Sequence, residues 1–231
     1  YAPRLVVEWD ATVAPTLGTP GTSGYESSLA CRNAMRFGLG SSLDDAHDGG
    51  GDLDNQDTDL EIDTDSVAGL RFTRIPYDLR VAAANPDVLR AARLYIQGDN
   101  NNSSFDLTIR AVPGDAAEFG TSPGDIKGLP TGSKVVTYNV PRRTFSDRHE
   151  IDVTDLVAEA MSDSNWVRNG NVALLITASR GATIDAYESG ASNAAYLELD
   201  ISATDMKTFV PRVRDKIKEA AAGLTCLLYT S

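Results

Sequence analysis

Between residues 29 and 203 the chain repeats one pattern, short runs in which every second residue is apolar, broken by Gly, Pro, Asn, Asp or Ser. The runs include Met35/Phe37/Leu39, Leu60/Ile62, Leu70/Phe72, Leu94/Ile96, Phe105/Leu107/Ile109 and Val136/Tyr138/Val140. They continue with Ile151/Val153, Leu174/Ile176 and Leu197/Leu199/Ile201. A period of two sends alternate side chains to opposite faces of a strand, and an apolar face must be buried against a second layer. Many short strands with turn residues between them predict an all-β chain, an antiparallel β-sandwich of jelly-roll type. One internal segment departs from the pattern. Thr154 at an N-cap, Asp155 in the first turn, and apolar Leu156, Val157 and Ala160 predict a short helix ending before Asn165-Trp166.

Two layers need apolar material, and 42% of the 231 residues are hydrophobic, enough to exclude wholesale disorder. The formal net charge is −12 and the pI is near 4.5. A surface this acidic repels phosphate backbones and anionic lipid, so cations are expected as partners and nucleic acid is not. No apolar run approaches the roughly 20 residues that cross a bilayer, and membrane insertion is not expected. Cys31 and Cys226 are the only cysteines, and no disulfide between them is assumed.

The flanks read differently from the middle. Residues 2–12 (APRLVVEWDAT) align with residues 194–204 (AAYLELDISAT), with Ala2, Leu5, Ala11 and Thr12 identical to their counterparts. Residues 1–12 are therefore expected to be the closing strand of a preceding module, although an eleven-residue match also arises by chance. Residues 13–28, with Pro15, Pro20 and several Gly, Ser and Thr, read as a linker. The sandwich module is expected over 29–203. Over 204–225, Val213, Ile217, Ala220 and Leu224 share one helix face, with Pro211 suited to a first turn and Gly223 to a stop. That helix is expected to lie outside the sandwich and to start a following region. Residues 226–231 resemble the translation of a transposon end used in DNA-library preparation and are expected to be foreign to the natural sequence. Beginning at Tyr1 in place of Met, the chain is also expected to lack its natural start.

The densest local signal is the segment 44–65, DDAHDGGGDLDNQDTDLEIDTD, which carries ten acids and no Lys or Arg. Carboxylates crowded into a Gly-rich loop repel one another unless a cation sits among them. Ca²⁺ takes six to eight oxygens, and Asp, Asn and backbone carbonyls supply them. Asp52, Asp54, Asn55, Asp57 and Asp59 are the first-choice ligands, with Asp45 and Asp48 next. The spacing is not that of an EF-hand. The competing reading is a solvated acidic run that holds nothing, with Glu61 and Asp63 as the outward face of a strand through Leu60 and Ile62.

Catalytic signals are weak. His47 and His149 stand outside any transition-metal spacing, and His149 reads as a rim residue. No nucleophile elbow, P-loop or dinucleotide fingerprint is present. Rings able to face a sugar are Tyr77, Tyr95, Tyr138, Trp166 and Tyr187, but aromatics make up only 7% of the chain, and most of these positions suit packing better.

Three segments carry a family resemblance. The first is Asp59-Leu60-Glu61-Ile62 with Gly69-Leu70-Arg71-Phe72-Thr73, and the second is Ala91-Ala92-Arg93-Leu94-Tyr95-Ile96. The third runs from Glu150-Ile151-Asp152-Val153 through Trp166 and Gly170-Asn171-Val172-Ala173-Leu174 to Ala195-Tyr196-Leu197-Glu198-Leu199. Over 59–201 the chain resembles bacterial extracellular jelly rolls of the DNRLRE type and carbohydrate-binding modules. The resemblance implies a sandwich in a secreted or cell-surface, multidomain protein, and no particular ligand. The expected role is a non-catalytic adhesive or structural module stabilised by calcium, with glycans or neighbouring surface-protein domains as further partners. The alternative is a carbohydrate-binding module appended to a secreted glycoside hydrolase or other enzyme.

Overall fold

Strands with one apolar face satisfy it by facing a second layer, and the six-stranded sheet of this chain is covered on both faces, by a second sheet on one and by a loop on the other. The computed structural model describes residues 34–49, 52–80, 89–99, 101–190 and 192–201. The expectations for residues 1–12, 13–28, 204–225 and 226–231, and for Cys31, lie outside these residues. A four-stranded sheet runs in the order β1 (Ala34–Gly38), β12 (Tyr196–Ile201), β6 (Leu89–Ile96), β9 (His149–Asp152). A six-stranded sheet runs β3 (Asp52–Asp54), β2 (Asp45–Gly49), β5 (Val67–Ile75), β10 (Gly170–Ala178), β7 (Phe105–Ala111), β8 (Val136–Val140). A two-stranded ribbon joins β4 (Asp59–Ile62) to β11 (Ala182–Asp185). Every pairing is antiparallel.

The pairings are nested: β1 with β12, β5 with β10, β6 with β9, and β7 with β8. A long antiparallel ribbon rolled up across two sheets has this topology, so the fold is the expected jelly roll. The apolar runs supply its interior. Leu94, Ile96, Ile151, Leu197 and Leu199 of one sheet meet Leu70, Phe72, Leu107, Ile109, Leu174 and Ile176 of the other in one buried cluster. Each Leu or Ile so buried contributes about 1.5–3 kcal/mol relative to exposure.

The six-stranded sheet is also covered on its outer face, where Ala46, Val112, Ala116, Phe119, Ile126, Ala173 and Leu175 form a second cluster. Val112 to Ile126 belong to the long β7–β8 connection, which lies over this face. This explains why β10 reads as a continuous apolar run, since it is buried on both sides. Gly69 makes the cover possible, because a Cβ there would lie 2.6 Å from the Phe119 ring.

The long helix among the described residues, α1 (Thr154–Ser162), buries Leu156, Val157, Ala160 and Met161. Its cap differs from expectation. Val153 holds the N-cap position, and Thr154 is the first helical residue. The Thr154 hydroxyl accepts the Ala92 N–H at 2.9 Å and donates to Asp152 Oδ1 at 2.6 Å, tying the helix start to β6. Thr154 therefore serves a tertiary junction instead of capping its own helix.

The acidic segment is the larger departure. It is not one loop: β2, β3 and β4 all lie within 44–65. Asp, Gly and His have poor strand propensity, and pairing with β5 overrides it.

Candidate functional site

Strand β2 sorts the expected ligands onto two faces. Asp45 pairs opposite Leu70 and His47 opposite Ala68, both residues of the inter-sheet core. Directly opposite residues share a face, so Asp45 and His47 point inward. Asp48, opposite Val67, points outward, and its Oδ2 accepts the Lys127 N–H at 3.1 Å. Asp45 and Asp48 thus lie on opposite sides of the sheet.

Asp45 is 0% exposed. Its Oδ2 accepts the Tyr187 N–H at 2.6 Å, from the 3₁₀ turn Tyr187–Ser189 that follows β11. Its Oδ1 is buried with no hydrogen-bond partner, and so is Oε2 of Glu188 in the same turn. Burial pushes the Asp45 carboxyl up to about 7. The charges of Glu188 and Asp44 add to the rise, and the Tyr187 N–H opposes it. The adjacent Asp44 is compensated: Oδ1 meets Arg71 Nη1 at 2.5 Å and Oδ2 accepts the Gly40 N–H at 3.0 Å. Arg71 Nε in turn donates to the Ala116 carbonyl at 3.0 Å, anchoring the covering loop. Of the two neighbouring acids, one is neutralised and the other is not.

The remaining candidates lie along β3, β4 and the turn between them. Asp52 lies in β3, paired with Gly49. Asp54 Oδ1 accepts the Gln56 and Asp57 N–H groups at 2.8 and 3.2 Å, a turn that leaves Asn55 at its tip. Asp57 Oδ1 accepts the Thr58 N–H at 2.7 Å. Asp59 stands directly opposite Asp185 across the β4–β11 ribbon, a like-charge pair. Burial raises the Asp59 carboxyl, with Asp99, Asp185 and Asp57 adding and the Thr58 hydroxyl opposing. Gln97 Nε2 holds Asp185 at 2.9 Å. Gly98 lets β6 approach this ribbon, since a Cβ there would lie 1.8 Å from the Thr183 carbonyl oxygen. Beside the ribbon is a polar cleft of about 450 Å³ lined by Glu61, Asp63, Asp99, Asn101, Arg180 and Thr183.

Two acidic groupings therefore replace the single loop. One joins Asp45 to Glu188, and the other joins Asp57 and Asp59 to Asp99 and Asp185. Among the described residues, no three His, Cys, Asp or Glu side chains group closely enough to hold a metal ion. An ion at either place would complete its shell with backbone carbonyls and water. The Asp45–Glu188 corner fits a hard cation on one count, two buried carboxylate oxygens without partners. Glu188, Asp99 and Asp185 escaped the sequence analysis because nothing local marks them. Tyr187 lies 142 residues from the Asp45 carboxylate that it bonds.

The other candidates have structural places. His149 is buried: Nε2 lies 2.8 Å from the Thr144 carbonyl oxygen, so it carries the proton, and Nδ1 accepts the Tyr138 hydroxyl at 3.0 Å. It is a fixed core bridge, not a rim residue. Trp166 is buried, with Nε1 donating to the Tyr77 carbonyl at 3.0 Å. Tyr95 stacks on Tyr196 with ring centroids 4.5 Å apart. Burial first, then the hydrogen bond to Glu150, pushes the Tyr95 phenol up to about 12. Of the rings considered for sugar contact, Tyr187 is the large exposed one. No family model matches the chain, and no curated protein matches it in sequence.

Proposed function

We propose that the chain is a non-catalytic structural or adhesive module of a large secreted or cell-surface bacterial protein, akin to DNRLRE-type jelly rolls, and that calcium braces its acidic edge. The observation that supports calcium is the Asp45–Glu188 corner. A buried oxygen without a partner costs about 1–3 kcal/mol, more when charged, and a proton or a cation would relieve both the Asp45 and the Glu188 oxygen. The donors are all oxygens, which favours Ca²⁺ over softer metals. An ion there would staple β2 to the turn after β11, and its binding free energy would become folding free energy. That suits a module whose work is to stay folded while linking other domains.

Thermal unfolding of the full chain in Ca²⁺, in Mg²⁺ and in chelator tests this reading. The expected result is a calcium-specific rise in melting temperature that Asp45→Asn and Glu188→Gln each abolish. Superimposable curves in the three conditions would remove calcium from the reading and leave a plain structural module.

A further inference from the structure

The turn after β11, the start of β12 and the end of β1 enclose a second cleft, of about 370 Å³. Its chemistry is opposite to that of the acidic edge. Arg36, Arg148, Tyr187 and Tyr196 line it, and no described carboxylate does, in a chain with 33 acidic and 21 basic residues. Cations concentrated in a concave site against so strong a net charge mark a place for an anion.

The two guanidiniums are held differently. Arg148 is fixed by the protein: Nε and Nη2 donate to Gln97 Oε1 at 3.2 and 3.1 Å, and Nη2 also donates to the carbonyls of Ser192 and Asn193. Its Cζ lies 5.1 Å from the Tyr196 ring centroid. Arg36 lies closer to that ring, with Cζ at 4.2 Å, yet its side chain is 63% exposed. Among the described residues its ion-pair partner is Glu198, whose carboxylate is 3.9 Å away and also 3.6 Å from Arg93. A guanidinium resting on an aromatic face keeps its N–H edges free for a planar oxyanion, which it grips through two parallel hydrogen bonds. Tyr196 is itself braced by the Tyr95 stack, so the platform under Arg36 is rigid.

The remaining walls suit a ring. Tyr187 is 37% exposed and offers an aromatic surface. Gly38 opens onto free space, with nothing within 4 Å of a Cβ built there. We propose that this cleft binds a small organic carboxylate, the carboxylate on Arg36 and Arg148 and the ring against Tyr187. The site shares the Tyr187–Ser189 turn with the calcium corner, using the Tyr187 ring where that corner uses the Tyr187 N–H and Glu188, but it does not depend on the calcium reading.

The test is an NMR titration of the full chain with benzoate, with benzamide as the neutral isostere and with sulfate as a bare oxyanion. Benzoate is expected to saturate, moving resonances of β1 and of residues 187–196, with benzamide and sulfate each at least tenfold weaker. Arg36→Gln is expected to weaken benzoate at least tenfold. Gly38→Val, which fills the cleft while leaving both arginines, is expected to block it with the fold intact by circular dichroism. Equal binding of benzamide, sulfate that matches benzoate, or full affinity in Arg36→Gln would each overturn the proposal.

Discussion

With Oδ2 bonded to the Tyr187 amide and Oδ1 unanswered, Asp45 keeps its proton to about pH 7 in the folded chain, against an ordinary value of 3.8. Between those values the folded state binds more protons than the unfolded one. The stability from this group is therefore complete below about pH 3.8 and is lost as pH rises through about 7. Carboxylates held low by hydrogen bonds, such as Asp63, Asp152 and Glu159, act in the opposite sense but at lower pH. In chelator, the urea midpoint is accordingly expected to be higher at pH 5 than at pH 8, and Asp45→Asn to flatten that difference. On the calcium reading proposed above, the ion would compete with the same proton, so its stabilising effect is expected to be larger at pH 8. The neighbouring Asp44–Arg71 pair makes a second prediction. Arg71→Met strands a buried charge and should cost about 3–5 kcal/mol in urea unfolding, whereas the double variant with Asp44→Leu should cost markedly less.

Among the elements, β2 and β10 show how neighbours decide what a segment becomes. Strand β2 is built from Asp, Ala, His, Asp and Gly, and forms because β5 offers it a ladder and an apolar floor. The burial of β10 on both faces depends on the loop that crosses its outer side, and that loop is seated on Gly69 through Phe119. Gly69→Ala is therefore expected to lose about 1–3 kcal/mol by overpacking. Adding Phe119→Leu should recover part of that loss. Hydrogen exchange of Gly69→Ala should show faster exchange in residues 112–135 than in the four-stranded sheet, since the disturbance lies on the outer face. Uniform acceleration through both sheets would contradict this seating.

Over the whole molecule, the nested pairing of β1 with β12 joins segments from opposite ends of the described chain. Closing such loops costs entropy before contacts repay it, so folding should be slow for the chain length. Refolding followed by fluorescence after urea dilution is expected on the millisecond-to-second scale, and a submillisecond phase carrying the whole amplitude would contradict it. The alternating runs were enough to read the strands and the sandwich, because burial of one strand face is a local, period-two property. Leu94/Ile96 and Leu197/Leu199 announce it without knowledge of any partner. The acidity of residues 44–65 was equally plain, and with it the expectation of a cation. Which carboxylates share a place was not, because Asp45 and Asp48 part to opposite faces only once β2 pairs with β5. Glu188, Arg36 and Arg148 reach their sites through contacts far apart in the chain, and no local pattern encodes a contact of that kind. Sequence alone determined the layers; the tertiary structure alone decided which charges are buried, which are answered and which face each other, because a charge's state depends on what surrounds it in space.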